Sequence, residues 1–307
     1  MLFFKEKHRF PYLFVKLSKN KEKNSLSCYY DCEVIFMTKN NIRSLFWSGY
    51  SLTKLIVKVF IYLVFIFYIL NISTKANNLS TQLLFFIIGG LVLIGSLYHE
   101  YLKYLYSNMI EALTRRCSIT DAEVKKINLI NRDFFNGFNG SIIIFNSLLL
   151  IDKGKYEECL SYMEKNYDFF HGTLDYLFIY HHNRAYCHLF LKNYQAGITD
   201  CTNLLEFKNI SKKKYSPLFS FDEIIGIKYH LEGLHRKAIR SFKKVDINRL
   251  NEREKTYIYY FISLAYRELH DDSKVGLYLK KLRISGNELA IAQNTNYKGG
   301  ELNEKFQ

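Results

Sequence analysis

Proline is almost missing, with 2 in 307 residues, and there are only 15 glycines and one tryptophan. So few breakers exclude a turn-rich β-sandwich and favour long helices. Acidic residues are also scarce: 29 Asp and Glu stand against 43 Lys and Arg, a formal net charge of +14. No CxxC pair occurs, and there is no GxxxxGK(S/T) loop, GxSxG elbow, HExxH or Rossmann fingerprint. The sequence therefore offers no catalytic residue, no metal ligand set and no cofactor. What it has is apolar bulk: 49% hydrophobic residues, with 25 Tyr and 25 Phe. That is too apolar for a disordered chain, and 23% charged residues are too many for a polytopic transporter. The length allows about one to two domains.

Residues 1–36 follow neither the helical nor the strand period. Lys16, Lys19, Lys21 and Lys23 flank a polar stretch, and no apolar run ends in small residues as a signal peptide requires. The segment reads as lying outside the natural protein. Met37 opens a cleaner start, and codons for Glu33-Val34 can contain GAGGT, a bacterial ribosome-binding sequence. The bias toward Phe, Tyr, Ile, Asn and Lys fits an AT-rich genome. The alternative is a mobile basic tail.

Two stretches call for lipid. Residues 52–72 are apolar on every side, and 21 residues at ~1.5 Å each cover a ~30 Å hydrocarbon layer. Lys58 can snorkel to the headgroups. Residues 83–98 form a second run, extended to 82–102 by its neighbours, with His99 and Glu100 at the interface. Gly89, Gly90, Gly95 and Ser96 would let the first span approach closely. Short flanks carry Lys39, Arg43 and Lys54 before the pair, Lys75 between (loop 73–81), and Lys103, Arg115 and Arg116 after it. This distribution predicts both termini on the cytoplasmic side of the cell membrane, with residues 37–51 as the cytoplasmic flank.

A connector (103–137) of two predicted helices follows, with Thr120-Asp121-Ala122-Glu123 as a helix start. Beyond it four hairpin turns align, opening at Gly154, Lys192, Gly233 and His270, each between an apolar helix and an amphipathic one. Asn183-Arg184-Ala185, Lys192-Asn193-Tyr194, Ile198 and Asp200 form the best unit. Gly226, Tyr229, Gly233, Ala238 and Phe242, then Tyr259, Ile262, Tyr266 and Leu269, continue the pattern. These residues resemble the tetratricopeptide repeat family, whose unit is a pair of antiparallel helices. The units are longer than the family's, and Cys159, Gly197 and Val275 stand where it has another small residue. The predicted fold is thus all-α: a transmembrane hairpin, then a tetratricopeptide-like solenoid of about four helix pairs over 138–285, then a flexible tail (286–307).

The resemblance implies a concave wall built from the first helix of each pair. Its candidate partner-binding residues are His182, Tyr186, Phe190, Glu223, Ile227, Tyr257, Tyr260 and Arg267. An aromatic wall of this kind suits an extended or helical peptide. Some family members grip a carboxylate with Asn and basic residues. Asn183 matches, but Glu223 and Ile224 oppose that reading. Residues 208–249 hold eleven Lys/Arg against four acids. Arg236, Lys237, Arg240, Lys243 and Lys244 share a helix face that could rest on anionic headgroups. No nucleic-acid module appears. Cys159, Cys187 and Cys201 fit small buried positions. In the run from His181 to His188, the two terminal imidazoles sit too far apart to chelate one ion. The expected role is a non-catalytic membrane scaffold for a protein or peptide partner. An immunity or accessory protein for a peptide toxin or signal, or an unrecognised membrane enzyme, are the alternatives. No residue pattern fixes the oligomeric state.

Overall fold

A computed structural model describes residues 42–76, 78–207, 219–294, 297–298 and 301–302. The basic segment 1–36, with Cys28 and Cys32, lies outside the described residues, as does part of the basic stretch 208–249. The described chain is all-helical apart from two paired two-residue strands, Tyr297–Lys298 and Glu301–Leu302.

Two long apolar helices open it, α1 (Ile42–Lys75) and α2 (Leu79–Thr114). Each contains a stretch long and apolar enough to cross a membrane, and from Ile56 to Leu97 most of their apolar side chains point outward. The connection between them is shorter than expected, because α1 runs to Lys75 and α2 starts at Leu79. Of the four small residues on α2, two meet α1. A Cβ added to Gly89 would lie 2.9 Å from Ile69, and Ser96 shares a hydrogen bond of 2.9 Å with Tyr62. Gly90 and Gly95 face open space. Lys58 does not stand alone either: its ammonium pairs with Glu100 at 2.6 Å.

The second apolar run, predicted over 82–102, lies within a longer helix. No proline or glycine interrupts residues 96–114, so α2 continues unbroken for 36 residues. Its second half changes surroundings. Leu102, Leu105, Met109, Ile110 and Leu113 recur every three or four residues and are buried against α3 (Ile119–Arg132) and α4 (Asn139–Asp152). Cys117 turns the chain with φ 50°, and the Ser118 hydroxyl caps α3 at Asp121 N.

The remaining helices are α5 (Tyr156–Lys165), α6 (Tyr167–Phe170), α7 (Leu174–Phe190), α8 (Tyr194–Glu206), α9 (Phe221–Leu231), α10 (His235–Phe242), α11 (Glu252–Arg267), α12 (Asp272–Gly286) and α13 (Ala290–Gln293). Helices adjacent in sequence pack together, and α4, α7, α9 and α11 also touch in succession. The four aligned turns share one geometry. Gly154, Lys192, Gly233 and His270 all have positive φ, between 55° and 76°. In each, the following residue's N–H reaches back to the carbonyl five residues before it: Lys155 to Leu150, Asn193 to His188, Leu234 to Tyr229, and Asp271 to Tyr266. This is the Schellman stop, which satisfies carbonyls that the helix end leaves open. Within the third pair, a Cβ on Gly226 would lie 2.5 Å from Phe242, so only glycine lets α9 and α10 come this close.

The segment after α12 is packed where a flexible tail was expected. Leu289 and Ile291 are buried in the main core. Glu288 accepts hydrogen bonds from Thr120 N at 2.8 Å and Ser118 Oγ at 2.9 Å, and Asn287 Nδ2 donates to Arg116 O at 3.0 Å. The end of the array is thereby tied to the turn between α2 and α3.

Candidate functional site

Six of the eight wall residues are buried as core. Tyr186 on α7 lies 5.1 Å from Tyr257 and 5.0 Å from Phe261 on α11, and Phe190 stacks 5.5 Å from Tyr260. His182, Tyr186, Glu223, Ile227, Tyr257 and Tyr260 are only 1–4% exposed, while Phe190 and Arg267 are half-buried. An open concave groove on these positions is therefore corrected. Aromatic rings of α7 and α11 meet across these positions. His182 is capped by Phe219, whose ring lies parallel at 3.6 Å. Asn183 is engaged as well, donating to Ser147 Oγ at 3.0 Å, so it offers no amide to a carboxylate.

At the centre of this closure sits an ion pair. Arg253 Nε lies 2.6 Å from Asp152 Oδ2, across 101 residues of sequence, and Tyr257 OH donates to Asp152 Oδ1 at 2.8 Å. The guanidinium also lies over the Tyr257 ring at 4.9 Å. Both charges are buried, so each compensates the desolvation of the other. Nearby, Tyr186 OH donates a short hydrogen bond to Glu223, and His182 Nε2 stands 3.6 Å from the same carboxylate. Glu254 completes the group. It forms a capping box with Asn251 at the start of α11. Burial, opposed by the Asn251 N–H and reinforced by Glu223, pushes its carboxyl up to about 7. Burial, with the Asp152 carboxylate beside it, likewise pushes the Cys117 thiol up to about 12, leaving it an inert thiol.

The histidine-rich run on α7 has a different organiser. His181 Nδ1 reaches Asp200 at 2.8 Å, Arg184 Nε at 3.3 Å and His188 Nε2 at 3.6 Å. Helical spacing aims these three side chains at α8, where one buried carboxylate receives them. Burial holds the His188 imidazole below its ordinary pKa. Cys159, Cys187 and Cys201 are buried free thiols, and Cys159 Sγ donates to Ser147 O at 3.3 Å. Among the described residues, no three His, Cys, Asp or Glu side chains are grouped to hold a metal ion.

The basic face is open. On α10, Ala238, Ile239, Ser241 and Phe242 turn inward, while Arg236, Lys237, Arg240, Lys243 and Lys244 are exposed. Lys237 lies over the Tyr229 ring at 5.6 Å, and Lys243 donates to Tyr266 OH at 3.0 Å. Arg236, Arg240 and Lys244 have no ion pair among the described residues.

The central pair was not readable beforehand, since Asp152 and Arg253 belong to separate turns and no local pattern joins them. Arg253 sits in the charged run Glu252-Arg253-Glu254-Lys255, which reads as an ordinary solvated helix start, so nothing local marked it. Compared with protein-family models, curated proteins and solved structures, the chain has no match.

Proposed function

We propose that the chain is a membrane-anchored, non-catalytic adaptor. A two-span hairpin holds a tetratricopeptide-like helical array at the inner face of the cell membrane, where the array binds a protein or peptide partner. The observation that carries this reading is α2: one unbroken helix has an apolar, outward-facing first half and a second half buried against α3 and α4. Such a helix transmits position from a bilayer to a soluble domain without a hinge. The four equivalent turns support the repeat reading. The Lys/Arg count of the flanks supports cytoplasmic termini.

With the inner wall filled, the partner surface moves outward. Arg236, Arg240 and Lys244 make the α10 face a match for an acidic partner segment. Asp152 and Glu223 are buried and bonded internally, so they present no acid–base pair to a substrate.

The test is crosslinked capture from membranes, comparing wild type with the triple Arg236→Glu/Arg240→Glu/Lys244→Glu variant. Loss of the captured protein, with anchoring intact, is expected. Unchanged capture rejects the α10 surface. A face resting on lipid would instead keep its protein and lose labelling by an anionic photoactivatable lipid. Exchanging α1 and the first half of α2 for an unrelated hairpin should leave an adaptor working. An immunity protein, whose spans meet the target, would fail that exchange.

A further inference from the structure

Between α3 and α4 the chain exposes two consecutive phenylalanines, Phe134 and Phe135, at 80% and 83%. Neither ring is left there by a loose loop. The buried Asp133 carboxylate accepts from Gly137 N at 3.0 Å and Phe138 N at 2.7 Å, and Asn136 takes φ 54°. Tyr98 clamps the other side: its hydroxyl donates to Arg132 O at 2.6 Å and accepts from Phe134 N at 3.0 Å. The Phe135 ring meets the Tyr98 ring edge-on at 6.0 Å. A turn fixed at five points thus holds two apolar rings away from the core.

Its height is set by Tyr98. From Leu79, where α2 begins, to Tyr98 the helix rises about 29 Å at ~1.5 Å per residue, close to the ~30 Å of a hydrocarbon core. The Lys58–Glu100 pair marks the same level on the facing helix. Tyr101 and Tyr104 are exposed just beyond, and Arg132 lies over the Tyr101 ring at 5.7 Å. Aromatic rings with a basic group beside them are the residues that settle at a membrane–water boundary. Through the Tyr98 ring, Phe135 adjoins α2 at the end of its outward apolar stretch.

We infer that the Phe134–Phe135 turn is an interfacial lipid anchor, inserting both rings among the headgroups and upper acyl chains of the leaflet that α1 and α2 enter. Burying two rings there fixes the array against the membrane surface and keeps it from swinging about the spans. The inference rests on α1 and α2 being membrane spans.

The experiment uses the full chain in vesicles of phosphatidylcholine and phosphatidylglycerol. The single tryptophan, Trp47, is first replaced by Phe, and one reporter is then introduced: Phe134→Trp, Phe86→Trp or Val124→Trp. Phe86 lies in the apolar first half of α2, and Val124 is exposed on α3, ten residues before Phe134. Lipids brominated high or low on the acyl chain act as quenchers. Position 134 should emit toward the blue and lose most of its emission to high bromines only. Position 86 should be quenched by low bromines, and position 124 should emit as in water. If 86 is quenched but 134 emits red and unquenched, the anchor is wrong and the spans stand. If 134 and 124 both shift blue without quenching, a second copy or another protein covers this face and the anchor is again wrong. If 86 is not quenched, the span reading fails and takes the anchor with it.

Discussion

Left-handed backbone is where single residues decide most. Gly154 and Gly233 adopt it without a Cβ, whereas Lys192 and His270 adopt it with one. An L-residue in this region carries roughly 1 kcal/mol of strain. Lys192→Gly should therefore raise stability by up to about 1 kcal/mol, less the extra freedom glycine gives the unfolded chain. Gly233→Ala should lower it by about as much, since a Cβ there meets open space and only φ is strained. Chemical denaturation in detergent, followed by circular dichroism, reads both. Equal midpoints for wild type and Gly233→Ala would remove the shared-turn argument. Glu254 gives a second test at this scale. Its carboxyl is raised from 4.5 to about 7 in the folded protein, so the folded state binds the extra proton. Stability should fall as pH rises from about 4.5 to 7 and level off above. His230, held down at about 4 by burial, next to His235, works the opposite way, adding stability from about 4 to 6.5. The net curve mixes the two, so the diagnostic is the difference from Glu254→Gln, which keeps the capping box but cannot ionise. That variant should lose the decline. A difference that does not change with pH rejects the raised carboxyl.

One buried charged contact joins α4 to α11. Removing one partner of a buried pair strands the other charge without water, at about 3–5 kcal/mol. Asp152→Ala or Arg253→Met should each cost that much, because the remaining charge has no second buried partner of opposite sign at the same distance. The double variant Asp152→Leu/Arg253→Met should recover much of the loss. A double-mutant cycle on denaturation midpoints checks it, and additive losses would show that the two charges are not coupled. The same contact explains which parts of the fold could be read beforehand. Turns are local events: a helix stop needs positive φ and a bond across five residues, and Gly154 and Gly233 advertise it. The two apolar helices are legible because each is an unbroken apolar run in the sequence. Curvature is not local. How far successive pairs rotate depends on distant side chains such as Asp152 and Arg253, so the filled inner wall left no trace in the spacing. The continuity of α2 was missed for a related reason. Its apolar surround above Tyr98 and apolar stripe below look like two elements, although no residue there breaks a helix.

At the level of the whole molecule, the two ends of the helical array meet. Glu288, after the last helix pair, places its carboxylate at the start of α3, where Thr120 N and the hydroxyls of Ser118 and Thr120 donate to it. A carboxylate at a helix N-terminus is held by unpaired N–H groups and by the helix dipole. These bonds, with that from Thr120 N foremost, lower the Glu288 pKa below its ordinary 4.5. The sign follows: the tie contributes stability above that value and loses it as pH drops through the lowered pKa. Because α2 reaches this turn from the apolar belt, the tie couples the end of the helical array to the long apolar helix α2. Glu288→Ala should therefore leave the inner core intact while opening the 286–293 segment, at a cost of about 1 kcal/mol for exposed charge-assisted bonds. Hydrogen exchange in detergent near pH 7 should show faster exchange at Thr120 and Ala292, with the amides of α7 unchanged. Protection lost equally throughout the array would mean that closure by Glu288 holds the whole solenoid. Unchanged exchange at Thr120 would mean that the buried Leu289 and Ile291 carry the tie alone.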